Sequence, residues 1–225
     1  MIHIIRHKEY DFPIPSGYVT CDVGPMFKEN PREYSYCYRP NVNELNPVIN
    51  ELTGIIDVAN NFDDKIVGFC HYHRFFTKDD KILEFSEAVS MIYPRGKYDF
   101  ILAHHVEYPD MTIRESLERD FREDLPTFNK YMDMLYEKDP DLKDYFNGRM
   151  FHPRNMFVCE RNLLLKYVNW LTWLLIPVAY KFKAEDFHRY PHYYSRMIGF
   201  IAERLLSYFV YKHGYRYIEL PYNEF

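Results

Sequence analysis

The sequence predicts an α/β fold in which a mixed sheet of short strands is flanked by helices and followed by a helical C-terminal part. Short apolar runs alternate with stretches of helical period along most of the chain, the pattern of strands connected through helices. Several apolar runs end in polar clusters, Arg6-His7-Lys8, His71-Tyr72-His73-Arg74 and His104-His105. Strands of open α/β sheets deliver side chains to ligands at their carboxyl ends in this way. At 225 residues, 47% of them hydrophobic, the chain suits one large core and is a tight fit for two.

Each element has its own signal. Ile2 to Ile5 reads as a first buried strand, and its break into charge at Arg6 comes too soon for a signal peptide. Asp11 to Pro47 is rich in Pro, Gly, Asn and Tyr, so only Tyr18 to Val23 is expected as a strand within a long loop, and such loops are more often functional than idle. Leu52, Ile55, Ile56 and Ala59 set a helix over Glu51 to Asn60, and Ile66 to Cys70 is a compact strand. A helix over Ile82 to Ile92 precedes a strand over Tyr98 to Leu102. Thr112 and Glu115 form a capping-box pair for a helix toward Asp120. A second helix over Asp124 to Lys138 is stopped by Asp139-Pro140. Asn155 to Cys159 is the next strand. From Glu160 a helix places Leu164, Tyr167, Val168, Leu171 and Leu175 on one side until Pro177. The last helix, Arg196 to His213, buries Ile198, Ile201, Leu205 and Phe209; Gly214 ends it, and Tyr217 to Leu220 is a final strand.

Composition excludes several classes. A net charge of −5 and a pI near 6.1 give no bulk attraction to phosphate backbones, so no nucleic-acid partner is expected. Cys21, Cys37, Cys70 and Cys159 are far apart, with no C-x-x-C pair, and read as free thiols of a reducing, cytoplasmic compartment. The longest apolar stretch, Leu163 to Val178, is interrupted by Lys166 and Asn169 and is shorter than a membrane span, which leaves peripheral contact at the inner face of a membrane open. The 22 Tyr and 18 Phe exceed what a minimal core requires. They fit a core with polar handles and equally a sugar-binding cleft, where a ring covers the C–H face of a pyranose.

Among candidate sites, Cys70-His71-Tyr72-His73-Arg74 is the sharpest. Continued strand alternation would point His71 and His73 the same way, with Arg74 adding a bidentate phosphate fork. Hydrogen-bonded histidines at a sheet edge are the competing explanation. His104-His105 and His152 add imidazoles at the same end of the sheet, but the spacings that mark zinc are missing. Asp79-Asp80 resembles a metal-holding acidic motif but lies past a strand end, where a solvated turn is expected. With 8 Gly there is no Walker loop, nucleophile elbow or dinucleotide fingerprint. Glu203-Arg204, on an otherwise apolar helix, offers a general base next to a cation, or an ion pair that anchors the helix. Gly199, four residues earlier, would let a backbone or ligand approach.

Taken together, these segments resemble a family of capsular and exopolysaccharide-biosynthesis glycosyltransferases long catalogued as a domain of unknown function. The resemblance runs in order through Ile4-Ile5-Arg6-His7-Lys8 with Tyr10-Asp11-Phe12-Pro13, then Tyr18 to Gly24, Asn46-Pro47 and Asn50-Glu51-Leu52-Thr53. It continues through Val67 to Phe76, Tyr98 to Leu102, Arg154-Asn155-Met156-Phe157, Trp170-Leu171 and Gly199 to Leu206. Where that family usually reads His-Tyr-Arg-Arg, this chain has His71-Tyr72-His73-Arg74, and Gly54-Ile55-Ile56-Asp57-Val58 replaces a helix rich in tryptophan and tyrosine.

The resemblance implies a GT-A-like, Rossmann-type sheet in one domain over 1–225, with 1–110 the nucleotide-sugar-binding half and 111–225 the helical acceptor side. It implies transfer of a hexose from a nucleoside-diphosphate sugar, a UDP-sugar first among them, to a glycan or lipid-linked acceptor. In that expectation His7, Lys8 and Thr53 contact the nucleotide, and His71, His73 and Arg74 hold the diphosphate in place of a metal. Asn155 lies beneath the acceptor site, and Glu203 with Arg204 does the chemistry. Dependence on Mn or Mg stays open. Two other readings stand beside this one: a metal-dependent hydrolase using His71, His73 and His105, and a non-catalytic glycan-binding subunit.

Overall fold

The computed structural model describes residues 1–9, 11–29, 42–93, 97–191 and 193–225; Tyr10 and Cys37 lie outside the described residues. Strands β1 (Ile2–Arg6) and β2 (Tyr18–Asp22) are followed by helices α1 (Pro25–Glu29), α2 (Asn46–Ile49) and α3 (Leu52–Asn61). Next come β3 (Ile66–His71), β4 (Arg74–Lys78), β5 (Lys81–Ile82), α4 (Phe85–Ile92), β6 (Phe100–Ala103) and β7 (Val106–Glu107). Helices α5 (Ile113–Asp120), α6 (Leu125–Lys138) and α7 (Leu142–Phe146) precede β8 (Met150–Phe151) and β9 (Phe157–Glu160). The chain continues through α8 (Arg161–Leu174), α9 (Ile176–Glu185), α10 (Met197–Lys212), β10 (Tyr217–Leu220) and β11 (Tyr222–Glu224).

The main sheet runs in the order β10-β6-β9-β3-β1-β2, with β4 attached to β3 and carrying β5 and β11. Along that path β9 is antiparallel to both neighbours, whereas β2, β1, β3, β6 and β10 share one direction. This is the mixed α/β sheet flanked by helices that the sequence predicts. β1 and β3 are apolar because both faces are covered: every residue of β3 is buried. Alternation sorts the side chains into two cores. Ile5, Val67, Phe69, Phe100, Leu102, Phe157 and Cys159 face the larger one, which α3 and α5 to α10 complete. Ile4, Cys70, Ile101 and Val158 face the smaller one, with α4 and the β4 residues Phe75 and Phe76.

The same alternation aims the functional residues. His71 is paired with Ile5, His7 lies two residues beyond Ile5, and Glu219 is paired with Leu102. All three therefore continue the face of the larger core at the carboxyl end of the sheet.

Local signals mostly survive. Thr112 Oγ1 accepts from Glu115 N at 3.1 Å while Thr112 N donates to Glu115 Oε2 at 2.6 Å, completing the capping box. Asp79 and Asp80, with φ of 50° and 59°, form the two-residue turn between β4 and β5. Pro177 does not end the helical stretch as expected: α8 closes at Leu174, and Pro177 sits in the first turn of α9, where its missing N–H has no partner to lose. By length and composition Arg161–Glu185 could cross a membrane, but it is these two helices, with about half of its most apolar window buried in the protein. The described cysteines Cys21, Cys70 and Cys159 are buried, and none of them is bonded to another.

Candidate functional site

β1 has β2 on one side and β3 on the other, so the chain reverses direction across the sheet beside β1. In an open α/β sheet a crevice opens at such a point, outside the carboxyl ends of the strands. Here it is a cleft of about 520 Å³, lined by His7, Asn46, Asn50, Glu51, His71, Tyr72, Tyr193 and Arg196 among others. The Tyr193 ring, 48% exposed, packs on Phe200 at the rim with centroids 5.1 Å apart.

His71 closes β3 inside this cleft. Its Nε2 lies 2.6 Å from Arg154 O, and its Nδ1 lies 3.8 Å from Glu51 Oε1 and 3.4 Å from Arg74 Nη1. The strand stops there, and Tyr72-His73 is a tight turn into β4. His73 is therefore brought near His71, with ring centroids 6.3 Å apart, by the turn rather than by strand alternation. Lys8 Nζ lies 5.2 Å from the centroid of the Tyr72 ring. Arg74 Nε donates to Glu224 Oε1 at 2.6 Å, because β11 pairs Glu224 with Arg74.

Permanent charge on this surface comes from arginine and lysine. Burial, then Arg74 and His71, push His73 down to about 4. Burial, with Lys8, Arg196 and His71 acting against Glu51, also lowers His7. Both rings are uncharged at neutral pH. Permanent cations are Lys8, Arg74, Arg196 and Arg154. Burial opposes the Arg154 charge, but Glu203, Tyr222 and Glu224 outweigh it and raise its pKa.

The remaining expected site residues are held one step back. Thr53 is buried; its hydroxyl donates to Asn50 O at 2.8 Å and accepts from Asn46 Nδ2 at 3.3 Å, fixing the corner that lines the cleft. Arg154 and Asn155 adopt consecutive left-handed conformations, φ 74° and 51°, which side-chain-bearing residues hold only under constraint. The constraint is a clamp: Arg154 N donates to Glu203 Oε1 at 2.6 Å, while Arg154 O faces His71. Asn155 is buried, and its Oδ1 has no hydrogen-bond partner among the described residues. Glu203 Oε2 accepts from Arg204 Nη1 at 2.7 Å, so both carboxylate oxygens are engaged. Arg204 is buried over the Phe151 ring, 4.4 Å from its centroid. What approaches Gly199 is the corner at Val48 and Asn50.

His105 does not join His71 and His73. It meets His152 and Glu219 at the other side of the carboxyl edge. Among the described residues no group of three or more His, Cys, Asp or Glu side chains is arranged to hold a metal ion.

Sequence reasoning passed over Arg154 and Arg196 as site residues. Arg196 had a signal, a cation at the start of a long helix behind Tyr193-Tyr194-Ser195; Arg154 had only its place in the Arg154-Asn155-Met156-Phe157 segment, because its contacts depend on a backbone conformation.

Comparison with known proteins follows the fold. The family model described as a domain of unknown function (DUF4422) matches residues 1–214. The apo structure of the WbbM bifunctional glycosyltransferase superposes with a TM-score of 0.72 at 20% sequence identity, over 99% of this chain. The chain spans 45% of the length of that protein. No curated protein matches the sequence.

Proposed function

We propose, from the premise that this chain belongs to the DUF4422 family, that it is a GT-A-like glycosyltransferase. It would move a hexose from a nucleoside-diphosphate sugar, a UDP-sugar first, to a glycan or lipid-linked acceptor in surface polysaccharide synthesis. One observation carries the reading: the cleft at the reversal point of the sheet is lined by Arg196, with Lys8 beside its lining residue Tyr72 and Arg74 beside its lining residue His71. Likeness of fold to a bifunctional glycosyltransferase supports it.

In this proposal His7, with the corner held by Thr53, receives the nucleotide, and Lys8 approaches from the Tyr72 side. Arg74, joined by Arg154 and Arg196, neutralises the diphosphate, while His71 and the uncharged His73 contribute hydrogen bonds. Charge on the departing nucleoside diphosphate is thus met by fixed guanidinium groups. Glu203 keeps the strained Arg154 in place, and the Tyr193 ring offers a face to a base or sugar. The enzyme would work in the cytoplasm, with peripheral contact at the membrane supported by Trp173, which is 51% exposed beside Lys138. A hydrolase using His71, His73 and His105 together is not favoured, since His105 stands with Glu219, apart from the other two.

The test is a thermal-shift and hydrolysis screen against UDP-, GDP- and TDP-sugars, each with manganese and with EDTA. Ligand at about 100 times Kd stabilises by about 2.7 kcal/mol, a rise of roughly 5–10 °C for a chain of this size. Stabilisation with slow release of one nucleoside diphosphate, surviving EDTA, is expected. Absence of binding under every condition overturns the proposal.

A further inference from the structure

Transfer that inverts the anomeric carbon needs a base for the acceptor hydroxyl, and Glu203, with both oxygens engaged, is poorly placed to be it. A second cluster on the same face of the sheet has the required form. His105 Nδ1 lies 2.8 Å from Glu219 Oε2, and His152 Nε2 lies 3.1 Å from Glu219 Oε1. His152 is fully buried, and its Nδ1 is met by Ser207 Oγ at 3.0 Å and the Tyr211 hydroxyl at 3.3 Å. His152 N donates to Ser207 Oγ at 2.6 Å, and His152 Nε2 faces a carboxylate oxygen, which can only accept. The His152 tautomer follows: Nδ1 accepts and Nε2–H donates to Glu219.

Glu219 then holds the Nδ1–H of His105, which puts the lone pair on the outer nitrogen, Nε2. Among the described residues nothing partners that nitrogen, and the side chain is 37% exposed. An imidazole oriented by a buried-edge carboxylate, with its free nitrogen facing solvent, has the geometry of a general base. The Ser207-His152-Glu219 run looks like a nucleophilic triad, but Ser207 is fully buried and serves only to fix His152.

Position agrees with chemistry. Leu102 and Phe69 are both paired with Phe157, so β6 and β3 are level and separated by one strand. Two strand spacings are roughly 10 Å. Extending that register sets His104 level with His71 and His105 one residue beyond. A sugar attached to a diphosphate at the His71–Arg74 turn would be able to span that gap.

We infer that His105 is the catalytic base that removes the proton from the acceptor hydroxyl, oriented by Glu219, which His152 positions in turn; this rests on the transferase reading above. In the step, the acceptor oxygen forms a bond to the anomeric carbon as the bond from that carbon to the β-phosphate oxygen breaks. The bonding pair leaves with the nucleoside diphosphate, and the hydroxyl proton passes to His105 Nε2 and then to water. The titratable groups facing His105 are Glu219 from β10, His152 from the segment after β8, and its neighbour His104. Tyr211 of α10 and Tyr217 of β10 lie behind His152.

The experiment uses the full chain with UDP-, GDP- and TDP-hexoses, octyl glycosides as acceptors, and water as the default acceptor. His105→Gln is expected to lower kcat by about 100-fold or more while the Kd for the nucleoside diphosphate stays within about twofold. Glu219→Gln replaces the carboxylate that holds the His105 Nδ1–H by a neutral group, so kcat should fall by about tenfold or more with KM little changed. A His105→Gln enzyme that keeps more than about a tenth of wild-type kcat overturns the assignment, as does a matching loss of nucleotide affinity. An unchanged kcat in Glu219→Gln removes Glu219 from its orienting role. A wild-type protein that binds none of the nucleotides overturns the transferase reading itself, before any variant is compared.

Discussion

Replacing Gly199 by Ala sets two effects of opposite sign against each other. In the interior of α10, Ala is favoured over Gly by about 0.5–1 kcal/mol, so helix propensity alone predicts stabilisation. Packing predicts the reverse: the added Cβ would lie 2.1 Å from Asn50 Nδ2 and 3.0 Å from Val48 O. The Asn50 amide cannot simply swing away. Its Oδ1 accepts from Arg196 Nε at 3.0 Å, and its backbone, at φ 51°, is tied through Asn50 O to Asn46 Nδ2 and the Thr53 hydroxyl. Overpacking of this kind costs about 1–3 kcal/mol. The net expectation is a loss of about 1–2 kcal/mol, a fall in Tm of roughly 2–8 °C. Because Asn50 and Arg196 line the cleft, nucleoside diphosphate affinity should fall as well. Differential scanning fluorimetry and titration with UDP read both effects. A Tm that is unchanged or raised would refute the close approach of α10 to the corner before α3.

Arg74→Ala should cut donor turnover by about 100-fold or more with a normal melting curve, and near-normal turnover would remove Arg74 from the site. Glu203→Ala breaks a partly buried pair with Arg204 and frees the strained Arg154 N–H, so a loss of about 2 kcal/mol is expected in urea denaturation. Full stability with abolished turnover would instead make Glu203 the base. Acid should weaken the anchor at Asp186. Burial alone would raise that carboxyl, but hydrogen bonds from Lys130, Tyr131 and Arg189 win and hold it at about 2. A depressed carboxyl stabilises the fold above its unfolded pKa and loses that contribution as pH falls from about 4 toward 2. The advantage of wild type over Asp186→Asn should therefore shrink by up to about 2 kcal/mol across that range; a constant gap would show that the charge is not what matters.

The sheet was legible where strands are buried on both faces, because Ile2 to Ile5 and Ile66 to Cys70 can only be apolar runs. It was illegible at β4, where Arg74-Phe75-Phe76-Thr77-Lys78 covers the smaller core on one side and pairs with β11 about 150 residues later. The end of β3 was misjudged for a related reason: a Tyr72-His73 turn carries no glycine to announce it. Of the candidate site, the cluster from His71 to Arg74 could be found, since it is contiguous. Thr53, Asn155, Glu203 and Arg204 could be found as residues but not as contacts. That Glu203 is engaged with Arg154 N follows from a left-handed backbone at Arg154 that no periodicity reveals.

The His105 cluster marks the boundary of what a chain can disclose about itself. Glu219 reaches His105 because β10 lies parallel to β6 with Glu219 opposite Leu102, and His152 reaches it because β7 and β8 pair Val106 with Phe151. Neither register is visible until the strands are placed, so three residues spread over more than a hundred positions look unrelated. Once they are placed, the division of charge becomes intelligible. The uncharged His73 ring and permanent cations meet at the β3 turn, as suits an anion that must be bound and then released. A carboxylate-held imidazole stands about two strands away, as suits a proton that must be taken. If one end binds and the other deprotonates, mutations at the two ends should separate affinity from turnover, with Arg74→Ala weakening donor binding and His105→Gln sparing it. Equal effects of both variants on Kd and kcat would mean that the carboxyl edge works as a single anion site, and the two-centre account would fall.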